Sequence, residues 1–395
     1  MNDLARRAHG IAAMRAMARR RLPRPVFDFA DGAAESEWTM RRNEAAFDGH
    51  ALLPRPLRGA AGRDTAITLF GHRFAMPLMI GPTGLAGLFW PDGEACVARA
   101  AAAAGVGACL SHGSVCTLES FAETGLAPRF MQVFIYSDRG FTNELAARAA
   151  AAGYHGLVLT IDNQLTGNRW RDQTNGFTIP PRFGPRGIAQ FAARPGWLWR
   201  MRRHLGAITF GNYVRPGEPN DAASLAGRMG ALLDPSMSWQ DVAALRKVWQ
   251  GPLILKGVMH PGDVAQALDC GVDGLIVSNH GGRQLDGAAA SLDVLPQVVA
   301  AADGRCPVLV DGGVRQGADI LKALALGATA CLIGRPQLWG LAVGGEAGVS
   351  RMLEIYRSEL DRAMGLCGLR SIAEIDGSIL LRPQPAAAQA DRVVS

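Results

Sequence analysis

Short apolar runs recur along the chain from about residue 76. Each ends in glycines or polar residues, and almost every one is followed at once by a stretch with helical spacing. "MPLMIGPTG" (76–84) reads as a strand and the alanine-rich "EACVARAAAAAG" (94–105) as a helix stopped by Gly105. "GACLSHGS" (107–114) with "TLESFAETG" (117–125), and "RFMQVFIY" (129–136) with "TNELAARAAAAG" (142–153), repeat the pair. "GLVLTIDNQ" (156–164) is a fourth strand, whose helix, "SWQDVAALRKVWQ" (238–250), arrives only after an interruption at 180–237. The rhythm then resumes. "PLILKGVMH" (252–260) leads to "GDVAQALDCG", "GLIVSNHGG" (274–282) to "LDVLPQVVAAADG", and "PVLVDGGV" (307–314) to "ADILKALALGA". "ACLIGRPQL" (330–338) is the last strand-like segment, with a helix over roughly 346–365.

Eight strands, each followed by a helix, predict an α/β fold of the TIM (β/α)8 barrel type. The expected layout is an N-terminal segment of helix and extension (1–75), a barrel over 76–382 with a long insertion (180–237) after the fourth strand, and a flexible tail at 383–395. A doubly wound open sheet is the rival, but no GxGxxG opens a helix after the first strand. In a barrel the chemistry sits on loops at the carboxyl ends of the strands. Those ends carry Pro82-Thr83-Gly84, Ser111-His112-Gly113, Gln132, Thr160 with Asp162, and Lys256. The last three carry Ser278, His280 and Arg283, then Asp311-Gly312-Gly313 with Arg315, then Gly334-Arg335.

Composition narrows the class without naming a ligand. The 395 residues are 48% hydrophobic and 19% charged with 48 glycines, enough to bury a large core. A formal charge of +6 suits anionic ligands or an acidic membrane surface. Nucleic acid is not expected, because no basic block is interleaved with stacking aromatics. Seven scattered cysteines without a CxxC pair point to a reduced, cytoplasmic setting rather than a disulfide framework or zinc knuckle. No apolar run is long enough to span a membrane. The arginine-rich start fits an organelle transit peptide or a mature helix stopped by Pro23 and Pro25, and the helix is the expectation.

The strand-end residues suggest specific chemistry. "DGGVR" and "IGR", after the seventh and eighth strands, sit where barrels commonly cradle a phosphate through backbone N–H groups, glycine and arginine. Lys256 closes an apolar strand, where an ammonium is costly unless it meets an anion or an electron-rich acceptor. His280 has the pKa range for proton abstraction, and Arg283 three residues on can clamp a carboxylate. Asp162 could hold the imidazole, and Arg169 in "LTGNRWRD" offers a second anion clamp. Taken singly, a lone histidine is more often structural and a loop arginine solvated. Jointly they make a base beside an anion clamp. No metal is expected, since the histidines lack zinc or iron spacing, and no GxSxG elbow supports a hydrolase.

"SNHGGRQLDG", "LDGGVRQGADILKALALGA" and "IGRPQLWGLA" resemble the signature segments of the FMN-dependent α-hydroxy-acid oxidases and dehydrogenases, and the resemblance spans most of the chain. That family includes glycolate oxidase, L-lactate dehydrogenase and mandelate dehydrogenase. "MPLMIGPTGLAGLFWPDGE" is most similar to the mandelate dehydrogenase branch. The resemblance implies FMN at the barrel mouth, its phosphate on Gly312, Gly313, Arg315, Gly334 and Arg335 and its ribityl chain on Asp311. It implies flavin contacts from Pro82, Thr83, Gly84, Ser111, Gln132, Thr160 and Ser278, with Lys256 stabilising negative charge on the reduced ring. His280 becomes the base, Asp162 its partner, and Arg283 with Arg169 the substrate carboxylate clamp. A homotetramer is also expected. The electron acceptor (quinone, another carrier or O2) is left open, although Gly84, where oxidases often have alanine, points to a dehydrogenase.

Two family tyrosines are missing. The N-terminal "YDY" reads "FDF", giving Phe29, and the tyrosine after the third-strand glutamine is Phe134. A lost hydrogen bond to a charged group costs roughly 1.5–3 kcal/mol, so small hydroxy acids should fare poorly. Gly113, in place of a bulky aromatic, should widen the pocket. The expected reaction is oxidation of a bulky or aromatic, mandelate-like 2-hydroxy acid to the 2-oxo acid. The alternatives are oxidation or oxidative deamination of a larger peptide-derived substrate, and a catalytically weak FMN-binding relic. "ARPGWLWRMRRHLGAITF" mixes tryptophan with arginine, as a peripheral membrane segment would. Contact through 190–212 at the inner face of the membrane is one reading; a substrate lid or a subunit contact is the other.

Overall fold

The computed structural model describes residues 3–381 apart from 178–181, 216, 218–219, 221–223, 226 and 228–232. The tail at 383–395 and part of the insertion therefore lie outside the described residues. Eight parallel strands close into a barrel: β1 (Leu78–Ile80), β2 (Ala108–Leu110), β3 (Arg129–Val133), β4 (Gly156–Thr160), β5 (Leu253–Val258), β6 (Gly274–Val277), β7 (Val308–Val310) and β8 (Ala330–Ile333). Closure comes from β8 on β1, with Cys331, Leu332 and Ile333 opposite Leu78, Met79 and Ile80. The strands are mostly apolar and buried rather than alternating, because side chains fill the barrel on one side and meet helices on the other, and the polar Gln132, Thr160 and Lys256 come towards their carboxyl ends.

Local chemistry sets the helix boundaries. Gly105 ends helix Gly93–Ala104 in the left-handed conformation. Ser238 and Asp241 form a reciprocal capping box that starts helix Trp239–Val248. Between β5 and β6 the register shifts around Gly257, whose φ is +109°. A Cβ there would lie 3.0 Å from the Cβ of Asp162, so the glycine lets Asp162 sit over the end of β5.

The fold departs from the sequence reading in two places. Strand-like "ACLIGRPQL" splits: β8 ends at Ile333, and Arg335–Gly344 is a helix absent from the expected layout. Pro336 lies in its first turn, where a missing N–H costs nothing. The N-terminal segment also carries two short strands that the sequence reading did not mark. After helices Ile11–Arg21, Arg24–Asp31 and Trp38–Asp48, it forms an antiparallel hairpin of Ile67–Leu69 with His72–Phe74. Its helices share one core with the barrel through Met14, Val26 and Phe47.

The interruption after β4 is a structured cover. It holds helices Trp170–Thr174, Pro185–Ala192 and Pro195–Met201 and a tight turn at Gly211–Tyr213. That turn docks on the β2 loop: Gly211 N–H donates to Ser114 O (3.1 Å), and Asn212 Oδ1 accepts from Leu118 N–H (2.8 Å). Trp197 Nε1–H donates to Leu88 O at 3.1 Å, tying the cover to the β1 loop as well.

Candidate active site

A cavity of about 620 Å³ opens at the carboxyl ends of the strands. Every residue singled out above lines it except Asp162 and Ser278. Those two act on wall residues. His280 Nδ1 lies 2.9 Å from Asp162 Oδ1, which places the imidazole proton on Nδ1 and leaves Nε2 as the basic nitrogen. Ser278 is fully buried, its hydroxyl accepting from Lys256 Nζ (2.7 Å) and from His280 N–H (3.1 Å). Burial alone would raise the Asp162 carboxyl, but the charges of His280 and Lys256 outweigh it and hold it below the usual range.

His280 is held in a demanding conformation. Its φ is +57°, left-handed and uncommon for a residue with a Cβ. The cause lies in the loop around it. Asn43 and Asn279 exchange paired side-chain hydrogen bonds of 2.8 Å, and Asn279 Oδ1 also accepts Gly282 N–H (3.1 Å). Gly282, at φ +74°, has no room for a Cβ, which would lie 2.6 Å from Met40 N. The helix Trp38–Asp48 thus clamps the "NHGG" turn that aims His280. The sequence pattern does not single out Asn43 or Asn279. The one available signal is a buried asparagine inside a helix, a place where asparagine is otherwise disfavoured.

Lys256 is buried and 3.2 Å from Asp311 Oδ2. Burial opposes its charge, yet Asp311 and Asp162 more than compensate and keep the ammonium above the ordinary lysine value. That stabilisation holds below the ordinary lysine pKa and is lost only as pH rises through the higher folded value. Lys256→Met leaves the half-buried Asp311 without its cation. We expect about 3–5 kcal/mol of lost stability, measured as a lower urea midpoint at unchanged slope; an unchanged midpoint would contradict the ion pair.

Arg283, Arg169 and Arg335 crowd one side of the cavity. Arg283 Nη1 donates to Phe29 O (2.8 Å) and Gly32 O (2.9 Å), and among the described residues Arg283 makes no salt bridge. Its pKa falls well below the ordinary arginine value, first by burial, then by the like charges of Arg169 and Arg335. Arg169 Nε is buried without a partner, and its one carboxylate, on Asp172, stands 3.6 Å from Nη1. Arg335 donates to the carbonyls of Asp31, Gly32 and Gly281, and burial with Arg315's charge lowers it to about 10. This excess of inward positive charge is a site for anions.

Gly313 has a role its motif does not disclose. At φ +91° a Cβ would come 2.1 Å from Asn43 O, so the N-terminal helix, and not only a phosphate, requires glycine there. Phe29 and Phe134 both face the cavity. Phe29 starts an aromatic ladder into the insertion: Phe29–Phe177 at 4.8 Å, Phe177–Phe183 at 6.1 Å, Phe183–Phe191 at 5.0 Å and Phe191–Trp197 at 5.6 Å between centroids. All five line the cavity. His112 and Tyr213 also line it, hydrogen-bonded to each other through Nδ1 and the phenol.

The family profile described as FMN-dependent dehydrogenase matches residues 18–382. The chain belongs to that family. As an FMN-dependent dehydrogenase it is an oxidoreductase with FMN as its cofactor. It is 43% identical over 370 residues to an L-lactate dehydrogenase of Caulobacter sp. (strain K31), covering 93% of this chain and 97% of that protein. It is 40% identical over 369 residues to an L-lactate dehydrogenase of Pseudomonas aeruginosa, covering 93% and 97%. Among solved structures it resembles the monotopic membrane protein (S)-mandelate dehydrogenase, with TM-score 0.91 and 35% identity over 95% of this chain and 99% of that one. A mandelate oxidase matches with TM-score 0.81 and 36% identity, over 95% and 98%.

The residues present suit FMN. Thr160 Oγ1 and Asp311 Oδ1 are buried on the cavity wall without hydrogen-bond partners, which a polar ligand would correct. Lys256 stands between their strands, and Arg315 and Arg335 with two glycine turns lie on the wall after β7 and β8. At the strand ends the wall therefore offers cations, the unpartnered Thr160 hydroxyl and the free Asp311 carboxylate oxygen, the mix that a phosphate, a polyol chain and a heteroaromatic ring require.

Proposed function

We propose that this enzyme oxidises a bulky, aromatic 2-hydroxy acid to the corresponding 2-oxo acid. The observation that carries the reading is the aromatic lining of the cavity that also holds His280: a ladder from Phe29 to Trp197, with Gly113 on the same cavity wall. Lactate has too little apolar surface to use that wall. A Cβ on Gly113 would make ordinary contact with Ser111 Oγ (3.8 Å) and Phe210 (3.9 Å), so a large side chain there would take up cavity space that glycine leaves to a ligand.

The residues divide the work as follows. Arg283 and Arg169 bind the carboxylate and so orient the α-carbon. His280 Nε2 takes a proton from the substrate hydroxyl, and ionised Asp162 stabilises the imidazolium that results. Bound FMN supplies the acceptor for the two electrons and hydrogen released from the α-carbon. The roof of Trp197, Phe210 and Tyr213 excludes bulk water. The unpaired face of Arg283 favours a carboxylate substrate over an amine. Gly113→Leu tests the size reading. The ratio of kcat/KM for an aromatic hydroxy acid over glycolate should fall at least roughly tenfold; an unchanged ratio sinks it.

Among the described residues no helix is long and apolar enough to cross a membrane. We propose a peripheral contact through the outer face of 190–212, at the inner side of the membrane. Trp197 and Met201 point inward, whereas Trp199 is 69% exposed under the Arg202 guanidinium, 4.3 Å from its ring centroid. Exposed Ile188 and Leu205 accompany it, giving the aromatic and basic mixture that anionic lipid attracts. Wild type should sediment with anionic vesicles and Trp199→Ser less than half as well; no sedimentation of wild type would end this reading.

A further inference from the structure

The cavity has a second polar end that the chemistry at His280 does not use. Beside Phe134 it reaches His112, Tyr136 and Tyr213. The His112 ring packs edge-on against Phe134 at 4.3 Å between centroids. Its Nδ1 is hydrogen-bonded to the Tyr213 phenol, whose oxygen lies 2.8 Å from the Tyr136 phenol. Both tyrosines are fully buried, so the imidazole is held from behind by the Tyr213 hydroxyl of the insertion, itself fixed by the Tyr136 hydroxyl that follows β3. His112 itself keeps surface open to the cavity, and among the described residues its Nε2 meets no protein partner. Gly113, next in sequence, lines the cavity without a side chain of its own.

We infer that this corner is a specificity subsite, in which His112 Nε2 hydrogen-bonds an uncharged polar group, a hydroxyl above all, on the aromatic side chain of the substrate. The inference rests on the 2-hydroxy-acid reading and sharpens it. Tyr213 and Tyr136 are positioning residues, fixing the imidazole plane so that Nε2 faces the ligand. Burial, and next the charge of His280, push His112 down to about 3, so at neutral pH it offers a hydrogen bond and no charge. A substrate with a second carboxylate at this end would meet a neutral imidazole instead of a cation and be disfavoured. The insertion thus sets specificity as well as covering the site, because it supplies Tyr213.

The test uses the FMN-loaded enzyme and aromatic 2-hydroxy acids that differ only at the ring: unsubstituted, hydroxylated (para and meta), and para-carboxylated. Anaerobic flavin reduction gives kcat/KM, and the flavin absorbance shift on adding each corresponding 2-oxo acid gives a dissociation constant without turnover. In wild type the better hydroxylated compound should exceed the unsubstituted one roughly tenfold in both measures, with the carboxylated one poorest. In His112→Leu that ratio should fall to near one, and in Tyr213→Phe part of the way; Tyr213→Phe alone decides if the leucine variant fails to hold flavin. No preference in wild type, or a preference kept in the variants, overturns the subsite and leaves the reaction class standing. Failure of every acid to bleach the flavin overturns both.

Discussion

His280→Asn should slow anaerobic flavin reduction by the best hydroxy acid roughly 10²–10⁴-fold, the usual contribution of a positioned general base, while FMN stays bound. Asparagine suits the experiment because it tolerates the left-handed conformation that His280 adopts at φ +57°. The turn clamped by Asn43 and Asn279 should therefore survive, and lost activity can be assigned to the lost Nε2. The expected split is in the chemical step: the limiting reduction rate falls, and 2-oxo acid binding changes little. If reduction proceeds within a few-fold of wild type, His280 is not the base and the Asp162 contact at 2.9 Å has another purpose.

Arg283→Leu carries the second large effect, in binding. Two charge-assisted hydrogen bonds to a carboxylate are together worth about 3–4 kcal/mol, so kcat/KM should fall roughly 10²–10³-fold, mostly through KM. Arg283 also ties Phe29 O and Gly32 O to the site, so part of the loss would be structural. The neutral amide of the same hydroxy acid separates the two. A carboxylate clamp predicts that wild type and variant differ far less on the amide than on the acid. An equal loss on both would make Arg283 a brace for the N-terminal segment, and the clamp would fall to Arg169.

Much of this was legible because a parallel barrel writes itself plainly: each strand is mostly apolar, and polarity gathers at and just beyond its carboxyl end. That is why Lys256, His280 and Asp311 could be placed on one face before any coordinates. What escaped depends on contacts distant in sequence. Nothing near Gly313 reveals that Asn43 O would collide with a side chain there. Tyr213 sits in a segment without period, and only folding brings it to His112. Three-residue strands such as Ile67–Leu69 are too short to show alternation, and Pro336 reads as a breaker although it starts a helix. The two missing tyrosine hydroxyls were visible; the packing of Phe29 on an aromatic ladder from the insertion, and of Phe134 on His112, was not.

The most direct test of the central claim is anaerobic mixing of the FMN-loaded enzyme with an aromatic 2-hydroxy acid, with L-lactate and with an aromatic amine, following the flavin absorbance and the product. The account predicts rapid bleaching by the aromatic hydroxy acid with one equivalent of its 2-oxo acid, and markedly slower bleaching by lactate. Bleaching by the amine alone, or lactate reducing the flavin as fast as the aromatic acid, would contradict it.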